Sequence, residues 1–199
     1  MSKKQETINT YNTSAIGLAK KFDDQGARID DIEYTLSIVG KKNPFVFEIG
    51  CGNGRDAYEI CKRTDHYEGM DISEQLLALA KEKLPNIHFI LADVETFEFP
   101  KNINVVFAFA SLIHVPKESF TVIMSRLFDS VTHNGLVFVS LKHADTYREV
   151  TKTDEFGTRT YWHYSQKDME DVASGFSIVK TNVHDIRGQV WMEVLFQKK

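Results

Sequence analysis

Three carboxylates and the glycines between them are the residues best placed to do chemistry. Val46-Phe47-Glu48-Ile49 is an apolar run that passes into Gly50-Cys51-Gly52-Asn53-Gly54 and then Arg55-Asp56. A strand that ends in glycines and restarts as a helix lets backbone approach a nucleotide-like ligand closely, because glycine has no Cβ. The spacing is not that of a dinucleotide site: Gly50 and Gly52 fit Gly-x-Gly-x-x-Gly, but Arg55 takes the third glycine position. Glu48, at the mouth of the turn, repels a pyrophosphate and suits a cationic ligand. Asp71 closes Tyr67-Glu68-Gly69-Met70-Asp71, at the distance where an acidic residue commonly takes ribose hydroxyls. Asp93 closes the next apolar run, where a carboxylate can accept a bond from an exocyclic amine. Either aspartate alone could be a helix cap. Three acids at successive strand ends point to a ligand site.

Those residues need strands to carry them and helices to start behind them. From Pro44, residues 45–49 read as a strand, 55–63 as a helix and 66–71 as a second strand. Ser73 is a good N-cap for a helix over 74–84, whose Leu76, Leu77, Ala80 and Leu84 share one face, and Pro85-Asn86 stop it. Strands follow over 87–91 and 104–110, a helix over 117–131 behind Pro116, and a fifth strand over 136–141 after Asn134-Gly135. Near-continuous apolar strands spaced by helices predict a parallel sheet covered on both faces. The end differs: a helix over 165–174, then strands over 176–184 and 190–197. Asp185-Ile186-Arg187-Gly188 joins them, and so short a link can only connect antiparallel strands. Upstream, residues 1–40 read as two helices, one carrying Ile8, Tyr11, Ala15, Leu18 and Phe22, the other Ile29, Ile32, Leu36 and Val39. The expected organisation is a helical extension over 1–42 and one α/β domain over 43–199.

Composition bounds the function. A chain of 199 residues with 42% apolar and 26% charged residues is an ordinary globular domain, which excludes disorder and fibrous repeats. A net charge of −4 gives no broad attraction to nucleic acid or anionic membrane. Cys51 and Cys61 belong to no ligand cluster and imply no disulfide framework, so a reducing, cytoplasmic setting and no metal are expected. The first residues, Met1-Ser2-Lys3-Lys4-Gln5-Glu6, lack the apolar stretch of a signal peptide, and the apolar runs are strand-sized.

From about Tyr11 onward the chain resembles the class I S-adenosylmethionine-dependent methyltransferases. The family's acidic-x-Gly-x-Gly-x-Gly motif matches Glu48-Ile-Gly50-Cys-Gly52-Asn-Gly54, its ribose acid matches Asp71, and its adenine-side acid matches Asp93 beside Val94. The stretch 107–116 matches the fourth strand and following loop, and Asn134-Gly135-Leu136 the turn before the fifth. The resemblance implies a Rossmann-like, doubly wound, seven-stranded α/β sheet in the order 3-2-1-4-5-7-6 with strand 7 antiparallel. It implies S-adenosylmethionine as cofactor. The 50–54 loop, Cys51 included, would wrap the methionine part, with Glu48 serving its ammonium directly or through water. Asp71 and Ile72 would hold the ribose, Asp93 and Val94 the adenine, and Ala110 and Ser111 the region beside the sulfonium.

The reaction expected is methyl transfer to an O, N or S atom of a small-molecule acceptor, by a monomer or homodimer. His114, in the loop after strand four, is the candidate general base. Acceptor lining is expected from Tyr11 and Phe22, which resemble lid anchors, with Leu18 where a second tyrosine is often found. It is also expected from the long connection 142–166, where Lys142, His143, Arg148, Arg159, Tyr161, Trp162 and His163 gather, with Tyr11, His143, Arg148, Tyr161 and His163 the leading candidates. Base-methylating enzymes of the class usually carry Asn/Asp-Pro-Pro-Tyr/Phe after strand four. Here the chain reads Ala110-Ser111-Leu112-Ile113, which disfavours nucleic acid. A protein methyltransferase, or a non-catalytic S-adenosylmethionine-binding sensor or scaffold, would carry the same cofactor motifs.

Overall fold

The structure is a computed structural model that describes residues 1–186 and 188–199. Strand β1 (Val46–Ile49) lies at its centre, buried along its whole length. It pairs in parallel with β2 (Tyr67–Asp71) on one side and β4 (Ile103–Phe109) on the other. β3 (His88–Leu91) extends the sheet beyond β2, and β5 (Val131–His143) beyond β4. β9 (Gln189–Gln197) runs antiparallel to β5, and β8 (Ser177–Ile186) antiparallel to β9. These seven strands have the expected order and the expected antiparallel member. Arg187, in the link between the last two, lies outside the described residues.

Among the described residues the sheet holds nine strands rather than seven. The connection expected as a long loop over 142–166 folds into a hairpin of β6 (Arg148–Asp154) and β7 (Gly157–Tyr164). β7 joins β5 in parallel only at Lys142 and His143. Lys142 faces His163 on one edge and Trp191 on the other. The hairpin therefore occupies the edge of β5 that β4 vacates at Phe109, above the carboxyl end of the sheet.

Strand alternation divides the core into two layers. Val106, Ala108, Val137 and Val139 face α6 (Lys117–Ser130) and α7 (Gln166–Val172), which offer Phe120, Ile123, Leu127, Met169 and Val172. Val105, Phe107, Leu136 and Phe138 face α3 (Ile29–Val39), α4 (Arg55–Ile60) and α5 (Glu74–Lys83), through Ile32, Ala57, Ile60, Leu77 and Ala80. Caps set the helix starts: Ser73 accepts Leu76 N at 3.3 Å, and Ser165 with Asp168 closes a reciprocal capping box on α7. α3 ends at Gly40 with a left-handed φ of 62°.

The first stretch forms two helices, not one, so three helices precede β1: α1 (Lys3–Thr13), α2 (Ala15–Gln25) and α3. Ser14 makes the break. Its hydroxyl donates to Phe156 O at 2.6 Å, and Thr13 Oγ1 donates to Asn9 O at 2.8 Å. Two adjacent hydroxyls that bond elsewhere weaken a continuous helix. α1 thereby lies against β7: Thr10 Oγ1 donates to Thr158 O at 2.8 Å, and Thr160 N donates to Thr7 Oγ1 at 3.1 Å. No helix among the described residues is long and apolar enough to cross a membrane.

Candidate active site

The glycine turn follows β1 with Gly50, Gly52 and Gly54 at φ of 73°, 56° and 75°. Gly50 is required by space as well: a Cβ there would stand 2.2 Å from Ser111 Cβ. Ser111 reaches under the turn, donating to Ile49 O at 2.6 Å. A Cβ on Gly52 would meet nothing within 4 Å, because Gly52 opens on a cavity of about 750 Å³. Gly54 packs on Ala80 and stands off that cavity.

Asp71 joins the turn to the next strand. Its Oδ2 accepts Gly52 N and its Oδ1 accepts Ser73 N, both at 2.8 Å. Burial raises its carboxyl above the ordinary range against the pull of those amides. Ile72, Asp93 and Val94 line the same cavity, as do Cys51, Ala110 and Ser111. Ala110 holds a left-handed φ of 52°, with its N–H on Ser140 Oγ at 2.9 Å. Asp93 pairs with Lys4 Nζ at 2.5 Å, so α1 is strapped across this end.

Glu48 sits elsewhere than the sequence suggests. It is 1% exposed, does not line the cavity, and accepts the Tyr67 hydroxyl at 2.6 Å from beneath the turn. Burial, then the charges of Asp56 and Asp71, push its carboxyl up to about 8. Asp56 is the acid the sequence reading passed over. It is buried at the cavity wall, accepts Arg28 N and Arg28 Nη1 at 2.9 Å each, and pairs with Arg55 Nη2 at 2.5 Å. Burial outweighs the pull of Arg55 and raises it to about 6. Its signal was its place at the first turn of the helix after the glycines, but Arg28 comes from a distant segment.

The far end of the cavity is built from α1, the single-turn 3₁₀ helix Leu112–His114, and the hairpin. His114 Nδ1 lies 2.6 Å from Thr160 O, so that nitrogen carries the proton. Nε2 is left as acceptor, and Tyr11 donates its hydroxyl to it at 2.8 Å. Burial holds the imidazole neutral, near 4. Both ring nitrogens of this candidate base are thus engaged in hydrogen bonds. Tyr161 packs on the same ring, 4.9 Å between centroids. His163 also lines the cavity, both ring nitrogens without a partner.

His143 and Arg148, expected here, stand outside the cavity. Lys142 faces in, so strand alternation turns its neighbour His143 away, toward Tyr164 O at 3.0 Å. Arg148 is exposed on β6, one strand further from the cavity than β7. Trp162 stacks on Tyr147 at 5.1 Å and packs against the core.

Residues 46–135 match the family model described as a methyltransferase domain. That match covers just under half of the chain, and the sheet order is the one expected of the class I S-adenosylmethionine-dependent methyltransferases. Among curated relatives, it is 29% identical over 118 residues to malonyl-[acyl-carrier protein] O-methyltransferase 1 of Ilyobacter polytropus, a match covering 57% of this chain and 43% of that protein. It is 33% identical over 98 residues to trans-aconitate 2-methyltransferase of Rhodopseudomonas palustris, covering 48% of this chain and 38% of the relative. The matches therefore span less than half the length of these two relatives. Among solved structures, the fold resembles 1,6-didemethyltoxoflavin-N1-methyltransferase of Burkholderia thailandensis, with a TM-score of 0.77 and 14% identity over 96% of this chain and 87% of that one. It also resembles magnesium protoporphyrin IX methyltransferase of Synechocystis, with a TM-score of 0.73 and 18% identity over all of both chains. In this chain, the β6–β7 hairpin and α1 both lie beyond the stretch the family model matches.

Proposed function

We propose that the protein transfers a methyl group from S-adenosylmethionine to an O, N or S atom of a small-molecule acceptor. The observation that carries this reading is the convergence of the glycine turn, Asp71 and Asp93 on one cavity at the carboxyl ends of β1, β2 and β3. The residues fit the cofactor. Gly52 leaves open space where a side chain would stand, and Asp71 presents a carboxylate that is already oriented by two amides. In this reading residues 50–53 receive the methionine part, with Gly54 seating the turn on Ala80 and Glu48 beneath. Asp71 and Ile72 receive the ribose, Asp93 and Val94 the adenine, and Ala110 and Ser111 border the reacting end. The two solved structures named above both hold S-adenosylhomocysteine, and the enzymes are named for acceptors as different as 1,6-didemethyltoxoflavin and magnesium protoporphyrin IX. The choice of acceptor therefore falls to this chain's own cavity.

When bound, the cofactor supplies an electrophilic methyl carbon on a sulfonium. The protein's part is positioning, an effect worth up to about 7–11 kcal/mol when the acceptor is held in line. His114 serves that part by fixing Tyr11: its Nδ1–H anchors on Thr160 O and its Nε2 accepts a hydrogen bond from the phenol. Tyr11 and Tyr161 then wall the acceptor end.

Calorimetric titration with S-adenosylhomocysteine and, separately, NAD tests the reading. The expected result is binding of S-adenosylhomocysteine alone, weakened about 10- to 100-fold in Asp71→Ala, which loses charge-assisted bonds. Binding of NAD alone, or unchanged affinity in a folded Asp71→Ala, would overturn it.

A further inference from the structure

Carboxylates line the cofactor end of the cavity, whereas cations gather where the hairpin closes it. Lys142, near the end of β5, is 8% exposed and Arg159, on β7, is 6% exposed, and both line the cavity. A buried charge is costly unless it is paired. Lys142 is not: among the described residues its ammonium has one hydrogen bond, to the neutral amide oxygen Oε1 of Gln189. Arg159 gives Nη2 to Asp154, and its Nε is buried with no partner.

The two cations share a ring. Lys142 Nζ stands 5.8 Å and Arg159 Cζ 5.9 Å from the centre of Tyr161, and Lys142 Nζ lies 4.2 Å from that of Trp191. The acids at this end leave Lys142 without a counter-charge. Asp154 is taken by Arg159, and Glu193 by His184 at 3.3 Å and by Asn182 at 3.2 Å. Lys152 adds a third cation to the wall, and His114 and His163, which also line it, are held neutral by burial. Burial, then Lys152 and Arg159, push the Lys142 ammonium down to about 8, as expected of a cation short of a counter-charge.

We propose that Lys142 and Arg159 anchor a carboxylate of the methyl acceptor, which is a small carboxylic acid with a flat apolar body. The proposal rests on the methyl-transfer reading above. Two cations gathered at one ring, Tyr161, supply donors for the two oxygens of one carboxylate. Tyr11, Tyr161 and Trp191 supply the flat walls. With Asp154 and Glu193 in the same wall, a monoanion matches the charge better than the near-dianion of a phosphate ester.

The test is calorimetry on the full chain, with and without S-adenosylhomocysteine. Benzoate and phenylacetate are compared with their primary amides and with phenyl phosphate. The acids are expected to bind, their amides to bind about 10- to 100-fold more weakly, and Lys142→Met and Arg159→Met each to lower acid affinity by a similar factor. Both variants should keep their affinity for S-adenosylhomocysteine. Lys142→Met also separates anchoring from structure. Removing a half-satisfied buried charge should leave the midpoint of thermal unfolding unchanged or higher, whereas a lysine kept for structure would lower it. Equal binding of acid and amide, binding of phenyl phosphate alone, no acid binding at millimolar concentration, or full acid affinity in both folded variants would overturn the anchor. A chain that binds the acids but not S-adenosylhomocysteine would break the methyl-transfer reading and leave the anchor standing.

Discussion

At the carboxyl ends of β1 and β2 the buried charges are acids held by main-chain amides, whereas at the β6–β7 end they are cations held by side chains. Asp71 takes Gly52 N and Ser73 N, and Asp56 takes Arg28 N, so each carboxylate is fixed by backbone that has no freedom to leave. Lys142 leans on a glutamine amide and Arg159 on a partly exposed aspartate. The difference separates two tasks. An end that always meets the same ligand can be set rigidly by the turn itself. An end that reads the acceptor keeps charges in reserve for it, at a cost in stability.

The comparison breaks most sharply at the glycines. Gly50→Ala places a Cβ against Ser111 at a positive φ, and the sum of overpacking and backbone strain is about 2–5 kcal/mol. Gly52→Ala carries only the strain, about 1–2 kcal/mol, but its methyl stands in the open space of the cavity. Urea unfolding should therefore show the larger loss in Gly50→Ala. Titration of the better-folded Gly52→Ala should show weakened S-adenosylhomocysteine binding. Equal losses of stability with intact binding would mean that the turn is not a ligand cradle.

The same division governs what the sequence discloses. The cofactor end is written in contiguous stretches, a strand, a glycine turn and a cap, whose chemistry is local, so its acids follow from spacing and the sheet order from the family resemblance those motifs carry. The acceptor end forms where α1, the 3₁₀ turn, β5, β7 and β9 meet, and no local rule brings Tyr11 to His114 or Lys142 to Trp191. Residues 148–164 read as a loop because their outward positions carry Arg, Glu, Lys and Thr rather than apolar residues. The alternation of Thr151 and Thr153 with Val150 and Lys152, then Gly157, was the available hairpin signal. Asp56 was missed for the same reason as Tyr11–His114: its partner Arg28 is distant in sequence. Residues 1–25 read as one helix because apolar spacing continues through Ser14, whose hydrogen bond to Phe156 O only the folded hairpin supplies.

Stability against pH sharpens the contrast because the two ends carry opposite signs. Glu48 moves from an ordinary 4.5 to about 8, so between those values the folded chain keeps a proton that the unfolded chain releases. Stability falls as pH rises through that window, by about 1 kcal/mol per unit. Lys142 moves from 10.5 to about 8, so between 8 and 10.5 the unfolded chain holds the extra proton and stability rises with pH. Thermal unfolding followed from acid to alkaline pH should show the fall flattened in Glu48→Gln and the rise flattened in Lys142→Met. A Glu48→Gln curve that tracks the wild type would place an ionised Glu48 in the folded chain, and with it a counter-charge beneath the turn.

The smallest effect lies where the two ends meet. Tyr11→Phe keeps the ring that walls the acceptor end and removes one hydrogen bond, leaving His114 Nε2 without its 2.8 Å donor. An unsatisfied buried acceptor costs about 1–3 kcal/mol, and water entering from the cavity brings the loss to the lower part of that range. Affinity for S-adenosylhomocysteine should hold, because Tyr11 meets the glycine turn and Asp71 through no hydrogen bond. Nitrogen NMR of the imidazole decides what the pair does. Thr160 O, 2.6 Å from Nδ1, fixes the tautomer from the main-chain side, so Nδ1 should stay protonated in wild type and variant alike. If the proton moved to Nε2 when the phenol was removed, Tyr11 would be the group that sets the tautomer. The acceptor end would then be organised by α1, and strapping of that helix through Lys4 to Asp93 would tie acceptor chemistry to the cofactor end.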